Sequence, residues 1–255
     1  AAAKGGDESA RIGPALERER LGIGGMDLGW ETRRSLRTRV GFGPSLASWL
    51  RTDLSFASDY ASDRNAALVE EIVLGTDTLL ILQRNANGNR SSRGAFSVDP
   101  GQMARAAGGW GEEEAPNLLV RALDALDPIF FSRQGGLSAR FFRESVSPGA
   151  GFQLGLAGRD DLRFLDGDTA SVLSGQTTYT GGTGLRLPFN LRVNGNFSET
   201  RREILFARSD RNLVTRTWPD LRVVLEGVTL PQGARRLVES VSVSSGFREI
   251  STETT

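Results

Sequence analysis

The sequence predicts a mostly β fold of antiparallel strands, and three observations support this fold class. Apolar and polar residues alternate over many segments, which is typical of strands with one apolar and one polar face. Glycine, asparagine and proline separate these segments and predict turns between neighbouring strands. The chain has 255 residues, which is long enough for one large all-β domain.

The β pattern begins after a stretch that is rich in alanine, glycine and charged residues. We interpret residues 1–20 as a linker and predict that residues 21–98 contribute strands. Apolar residues recur at even positions from Met26 to Tyr60, with polar residues between them. Turns are expected at residues 43–45 and within residues 85–93, because glycine and asparagine tolerate positive φ and make tight turns.

A helical insertion is predicted at residues 99–128. Residues 99–102 combine an aspartate suited to an N-cap, a proline for the first helical position and a glutamine at the capping-box position. Leucines at helical spacing follow from Leu118 to Leu126. Because a helix cannot complete a ladder of strands, we expect this segment to lie off the sheet as a plug, a cap or a periplasmic insertion.

Residues 129–255 return to strand character, with the clearest alternation from Leu185 to Phe197. Every odd position there except Gly195 is apolar, and every even position is polar or proline. Eight residue steps from Leu185 rise roughly 27 Å, or roughly 20 Å in height at a tilt of about 40°, close to the apolar band of an outer-membrane barrel. The same parity extends back through residues 181–182, which predicts either one very long strand or a turn there with an odd number of loop residues.

This alternation predicts which way individual side chains face. Lipid-facing side chains are expected at Leu185, Leu187, Phe189, Leu191, Val193, Leu221, Val223 and Leu225. Lumen-facing charges are expected at Arg186, Arg192 and Arg222. The predicted fold class is therefore an antiparallel outer-membrane-type β-barrel segment with long loops and a short helical insertion.

Tryptophan and tyrosine are candidates for the aromatic girdle where a barrel wall meets the lipid headgroups. The residues in question are Trp30, Trp49, Trp110, Trp218, Tyr60 and Tyr179. Packing in a protein core is the alternative for each of them.

The composition excludes several kinds of chemistry. The chain has no cysteine and no histidine, which excludes disulfides, Cys/His zinc sites and triads that use an imidazole. The acidic run at residues 160–168 lacks a suitably placed glutamate for a calcium loop. With 31 basic and 31 acidic residues the formal net charge is zero, so no nucleic-acid partner is expected. We predict no catalytic residue, no metal, no cofactor and no enzymatic role; the alternative on the sequence alone is an enzyme that uses a pair of carboxylates brought together by two strands.

Four segments share short phrases with a known family. They are residues 36–56, PGAGFQLG at 148–155, LRLPFNL at 185–191 and TWPDLRV at 217–223. Together they resemble the very large outer-membrane barrels of the SprA (Sov) kind, the translocon of type IX secretion and gliding motility. The resemblance implies a bacterial outer-membrane location. It also implies a wide barrel wall that encloses a water-filled passage for folded secreted proteins. It further implies partner proteins that plug or gate the barrel. Because this chain is much shorter than such a translocon, it would form one portion of the barrel wall.

A second class of function remains open on the sequence alone. A soluble, secreted β-sandwich or adhesin-like module could bind sugar or protein through its long loops. The two hypotheses differ in whether the apolar faces of the strands meet each other or face outward into lipid.

Overall fold

A computed structural model gives the fold in the residues that it describes, which are 20–23, 26–74, 77–108, 118–144, 148–158, 164–165, 168–206, 209–228 and 241–255. The first strands are β1 (Arg20–Ile23), β2 (Met26–Trp30), β3 (Arg33–Phe42), β4 (Ser45–Ala47), β5 (Leu50–Leu74) and β6 (Asp77–Val98). The later strands are β7 (Ile129–Glu144), β8 (Phe164–Leu165), β9 (Asp168–Thr169), β10 (Val172–Leu187), β11 (Leu191–Phe206), β12 (Ser209–Val228) and β13 (Val241–Thr254). The described helices are α1 (Pro100–Gly108), α2 (Leu118–Asp124) and α3 (Ala150–Gln153).

One antiparallel sheet of nine strands dominates the described residues. Its order is β13-β12-β11-β10-β7-β6-β5-β3, with β4 also paired to β5. Apart from the short β4, strands of this sheet that follow each other along the chain are neighbours in it, so the path is an up-and-down meander. The prediction of a mostly antiparallel β fold is confirmed. Within the described residues the sheet is open, with β3 and β13 as its two edges.

The hairpin between β10 and β11 corrects the prediction of a continuous strand over residues 185–197. Phe189 and Asn190 have positive φ values of 65° and 58°, and Leu187 lies directly opposite Leu191. The loop therefore contains the three residues 188–190, and an odd loop leaves the alternation of faces unchanged across the turn. Residues 181–182, in contrast, lie inside the uninterrupted strand β10. Of the two alternatives predicted there, a long strand or a turn, the structure has the long strand.

The turn predicted within residues 85–93 is also wrong, because β6 runs through this segment without interruption. Its small residues have a different role. A Cβ atom on Gly88 would lie 3.0 Å from Cε1 of Phe152, so the missing side chain leaves room for an aromatic ring that packs on the sheet. A break does occur at residues 43–45, where β3 ends and β4 begins.

Helices α1 and α2 lie between β6 and β7, within the segment predicted to be helical. The Oδ1 atom of Asp99 accepts a hydrogen bond of 2.9 Å from the backbone N–H of Gln102, as expected for an N-cap. Arg105 of α1 forms an ion pair with Asp124 of α2. Neither helix joins the strand ladder, and Leu126 bridges to Leu185 before β7 begins.

The buried core lies on one face of the sheet under helix α3. The ring of Phe152 is 6.0 Å from that of Tyr60 and 5.7 Å from that of Phe141, measured between centroids. Ala86, Ala139, Leu173 and Leu205 complete the sheet side of the core, with Ala170 beside them. Tyr60 is only 2% exposed, so it packs in the core and does not belong to an aromatic girdle.

Some sequence predictions fall on residues outside this description. Residues 1–19 carry nearly all of the predicted linker, and Trp110 also lies outside the described residues. Asp160, Asp161 and Asp166 of the acidic run lie outside them as well. In the described part of the chain, no helix is both long enough and apolar enough to cross a membrane.

Candidate functional site

The strand register brings seven of the eight predicted lipid-facing residues together on one face, which we call the apolar face. Residues directly opposite each other in an antiparallel ladder share a face. The opposed pairs are Leu185–Val193, Leu187–Leu191, Leu191–Leu225 and Val193–Val223, and Leu221 continues the set opposite Gly195. Phe189 is the exception, because it lies at the tip of the turn and is 92% exposed.

Exposed apolar side chains continue along the apolar face from β3 to β13. We call this group the apolar belt, and each of its side chains is between 37% and 62% exposed. It consists of Val40, Phe42, Leu54, Phe96, Ile129, Leu187, Leu221, Val223, Val243 and Phe247. The belt differs from the core under α3, where large apolar side chains on the same face are fully covered.

The belt crosses the strands at a slant. The row of opposed residues that starts at Val40 passes through Phe56, Ser92, Gly135, Thr177, Arg201 and Val214 and ends at Glu253. The belt residues of β13, however, are Val243 and Phe247, well before Glu253 in the sequence. The whole shift arises between β3 and β10, because from β10 to β13 the belt follows one row, with Leu187 and Val243 joined through Leu191 and Leu225. Averaged over all strand pairs from β3 to β13 it is about one residue per pair, and with about 3.3 Å per residue and about 4.8 Å between strands this gives an average tilt of about 35°.

The three predicted lumen-facing arginines lie on the opposite face, which we call the polar face. Arg186 is directly opposite Arg192, and Arg222 is opposite Asn194 two residues further along β11. The two opposed guanidinium groups share the carboxylate of Asp127. Nε of Arg186 donates to Oδ1 of Asp127 at 2.6 Å, and Nε of Arg192 lies 3.4 Å from Oδ2.

Asp127 also ties the helical insertion to the sheet. Its backbone N–H donates to the Gly184 carbonyl at 2.7 Å, and its own carbonyl accepts a hydrogen bond of 2.9 Å from the hydroxyl of Thr183. Asp127 is not among the site residues that the sequence predicts. Its position just before the proline that precedes β7 was visible, but its two arginine partners depend on the register of β10.

Other ion pairs of the polar face join neighbouring strands. Nε of Arg37 lies 2.5 Å from Oδ1 of Asp59, and the Arg248 guanidinium lies 3.0 Å from Oδ2 of Asp220. Opposite charges across a strand pair stabilise a sheet modestly and keep its surface hydrated. These carboxylates compensate part of the positive charge of the polar face.

Aromatic rings follow one side of the belt, toward the β7–β10 connection. Phe131 lies between Phe96 and Tyr179, with ring centroids 5.5 Å and 6.4 Å apart. Further along, Phe197 contacts Trp218 with centroids 6.3 Å apart. Tyr179 and Trp218 are the two members of the predicted aromatic girdle that lie in this row.

Charged residues of the apolar face come directly after this aromatic row. On β11, residues 191–197 lie at the end of the strand that carries the belt, next to the β10–β11 turn. Glu199 lies further from that turn, beyond the belt. Glu199 accepts hydrogen bonds from Nε of Arg201 at 2.6 Å and Nε of Arg216 at 2.9 Å. These hydrogen bonds, Arg201 first, lower the pKa of Glu199 below its ordinary value.

The described residues contain no group of three or more acidic side chains placed to hold a metal ion. No family model matches the chain, and no curated protein and no solved structure matches it with significant similarity. The resemblance to SprA-type barrels therefore stays a prediction.

Proposed function

We propose that the chain forms part of the wall of an outer-membrane-type β-barrel that provides a passage for transport or protein secretion. The slanted apolar belt is the observation that carries this proposal. Strands of membrane barrels are tilted by about 35–45° against the bilayer normal, and the slant of the belt corresponds to a tilt of about 35°.

The exposure of the belt favours lipid over a protein layer as its cover. In a soluble β-sandwich a second sheet packs about 10 Å away over the apolar face. The other sheets of the described residues have only two strands each, and the belt side chains stay between 37% and 62% exposed. Six strands of the main sheet have 16–25 residues, whereas about 9–11 suffice to cross a bilayer.

The open edges fit a portion of a larger wall. A membrane-spanning sheet needs every backbone group paired, which requires closure into a barrel. We infer that further strands pair with β3 and β13, as in the wide translocon barrel that the sequence resembles. The polar face then lines the passage for the transported or secreted protein, and helices α1 and α2 stand at its mouth, tied to the polar face through Asp127, where plug or periplasmic partner proteins can act.

The test compares two adjacent residues that face opposite ways. The chain has no cysteine, so Val223→Cys and Arg222→Cys each introduce a single thiol. The full chain is inserted into liposomes, recovered by flotation and treated with a membrane-impermeant maleimide. We expect labelling of the Arg222→Cys protein and protection of the Val223→Cys protein, which reacts with a lipid-soluble maleimide instead. A chain that is monodisperse without detergent and labels equally at both positions would favour the soluble β-sandwich.

A further inference from the structure

A groove of about 740 Å³ lies on the apolar face next to the aromatic row. Gly135 and Gly175 form part of its floor, where side chains are missing, and Leu137, Leu173 and Leu205 line the side toward the core. Tyr179 lies on the side toward the apolar belt. The groove is thus a trough between the protein core and the belt.

Positive charge is in excess around this groove. The lining side chains of the apolar face include three arginines and one carboxylate: Arg90, Arg133, Arg201 and Glu203. Arg90 donates to the carbonyl of Ala157, and Arg201 is held by Glu199. Arg133 forms no ion pair within the described part of the chain, and its guanidinium lies 5.9 Å from the ring centroid of Tyr179. Its charge is therefore available to an anion.

A second hollow continues from the groove into the belt. It has a volume of about 380 Å³ and is lined by the belt residues Val40, Phe42 and Leu54. Phe56 and Arg133 line both spaces. At Gly94 a Cβ atom would come within 3.4 Å of Leu54, so the glycine keeps this hollow open. A basic site and an apolar channel therefore meet at Arg133.

We propose that the groove binds the phosphate group of an anionic membrane lipid, with an acyl chain in the hollow along Val40, Phe42 and Leu54; this inference rests on the proposed function. The planar guanidinium group binds phosphate through several hydrogen bonds. The site lies where the belt ends, which is the height of lipid headgroups if the belt faces the bilayer. A free anion would fill the basic part alone, whereas a lipid fills both.

The experiment measures lipid binding to the full chain in neutral detergent by native mass spectrometry. The probes are phosphatidylglycerol, phosphatidylcholine with the same acyl chains, and inorganic phosphate as competitor. We expect phosphatidylglycerol to bind more tightly than phosphatidylcholine, and Arg133→Gln to weaken its binding about tenfold. Arg133→Lys should retain most of the affinity because it keeps the charge. Gly94→Leu should weaken both lipids by filling the hollow.

Arg140→Gln is the matched control. Arg140 is an exposed arginine of the same strand, β7, and its side chain lies on the polar face. Three results would each overturn this inference. The first is equal binding of the two lipids, and the second is an equal loss of phosphatidylglycerol affinity in the Arg140→Gln and Arg133→Gln proteins. The third is displacement of bound lipid by inorganic phosphate as effectively as by lipid. These outcomes leave the proposed function standing if the chain still inserts into liposomes. Failure to insert, in contrast, overturns the proposed function itself.

Discussion

Two regions of the same face of the sheet are apolar, but only one is covered by protein. Near helix α3 the side chains of Tyr60, Phe141 and Leu173 are at most 2% exposed. In the apolar belt, side chains of similar size are 37–62% exposed. Apolar alternation in a strand therefore indicates an apolar neighbour but does not specify whether that neighbour is protein or lipid.

The largest effect is expected in the covered region. Phe141→Ala removes a fully buried ring next to Phe152 and leaves a cavity, which costs about 3–5 kcal/mol of unfolding free energy. Chemical denaturation in neutral detergent measures this loss. We expect the same loss with and without added lipid, because this part of the core does not depend on the bilayer. A loss that lipid reverses would contradict the assignment of protein as its cover.

A somewhat smaller effect, restricted to membranes, is expected in the belt. Val223→Arg places a charge in the apolar belt, which we propose to face lipid, and there it costs about 2–4 kcal/mol near the bilayer midplane. Val224→Arg introduces the same side chain one residue later, on the polar face opposite Arg192, where like-charge repulsion costs about 1 kcal/mol or less. The yield of inserted, folded protein after refolding into liposomes measures both. Similar yields from the two variants would reject the distinction between the faces.

Much of this two-sided pattern is readable in the sequence. The residues predicted to share a face, such as Leu187 and Leu191, do share it, because a three-residue loop preserves the alternation. For the same reason the alternation could not reveal the turn itself, or that Phe189 lies at its tip. The turn depends on the left-handed backbone at Phe189 and Asn190, which a pattern of apolar residues does not encode.

Contacts between segments far apart in the chain could not be predicted from the sequence. Residues 85–93 have the composition of a turn, yet they form a strand that pairs with β5 on one side and β7 on the other, and Phe152, far along the chain, packs against Gly88. Tyr60 was a candidate for the membrane surface, and the same ring places it in the core. Asp127 acquires its role only when the register of β10 and β11 brings Arg186 and Arg192 to it.

On the polar face we expect a moderate effect from loss of the shared carboxylate. Asp127→Asn leaves Arg186 and Arg192 without a compensating charge and weakens the attachment of α1 and α2. Hydrogen exchange in residues 100–108 should become faster. Asp59→Asn removes the same charge from the pair with Arg37, far from the insertion, and should leave that exchange unchanged. Equal exchange in both variants would show that Asp127 does not hold the helices.

The smallest effect is expected beside the belt at Glu199. Because its pKa is lowered in the folded protein, the ionised carboxylate stabilises the fold at neutral pH. This contribution disappears as the pH falls below the ordinary glutamate pKa of about 4.3 and through the lower folded-state pKa. Glu199→Gln should reduce stability at neutral pH and flatten its decrease on acidification, measured by thermal unfolding in detergent. An unchanged pH profile would contradict this assignment.

Depth measurements in a bilayer test the slanted belt most directly. Single cysteines at Val40, Val214 and Phe247 carry an environment-sensitive fluorophore, and lipids with nitroxides at three depths quench it. Val40 and Val214 lie in the same row of opposed residues, whereas Val40 and Phe247 both belong to the belt. We predict that positions 40 and 247 are quenched at similar, buried depths and that position 214 is quenched less, nearer the headgroups. Equal depths at positions 40 and 214 with a different depth at 247, or no quenching at any position, would contradict a tilted, lipid-facing belt.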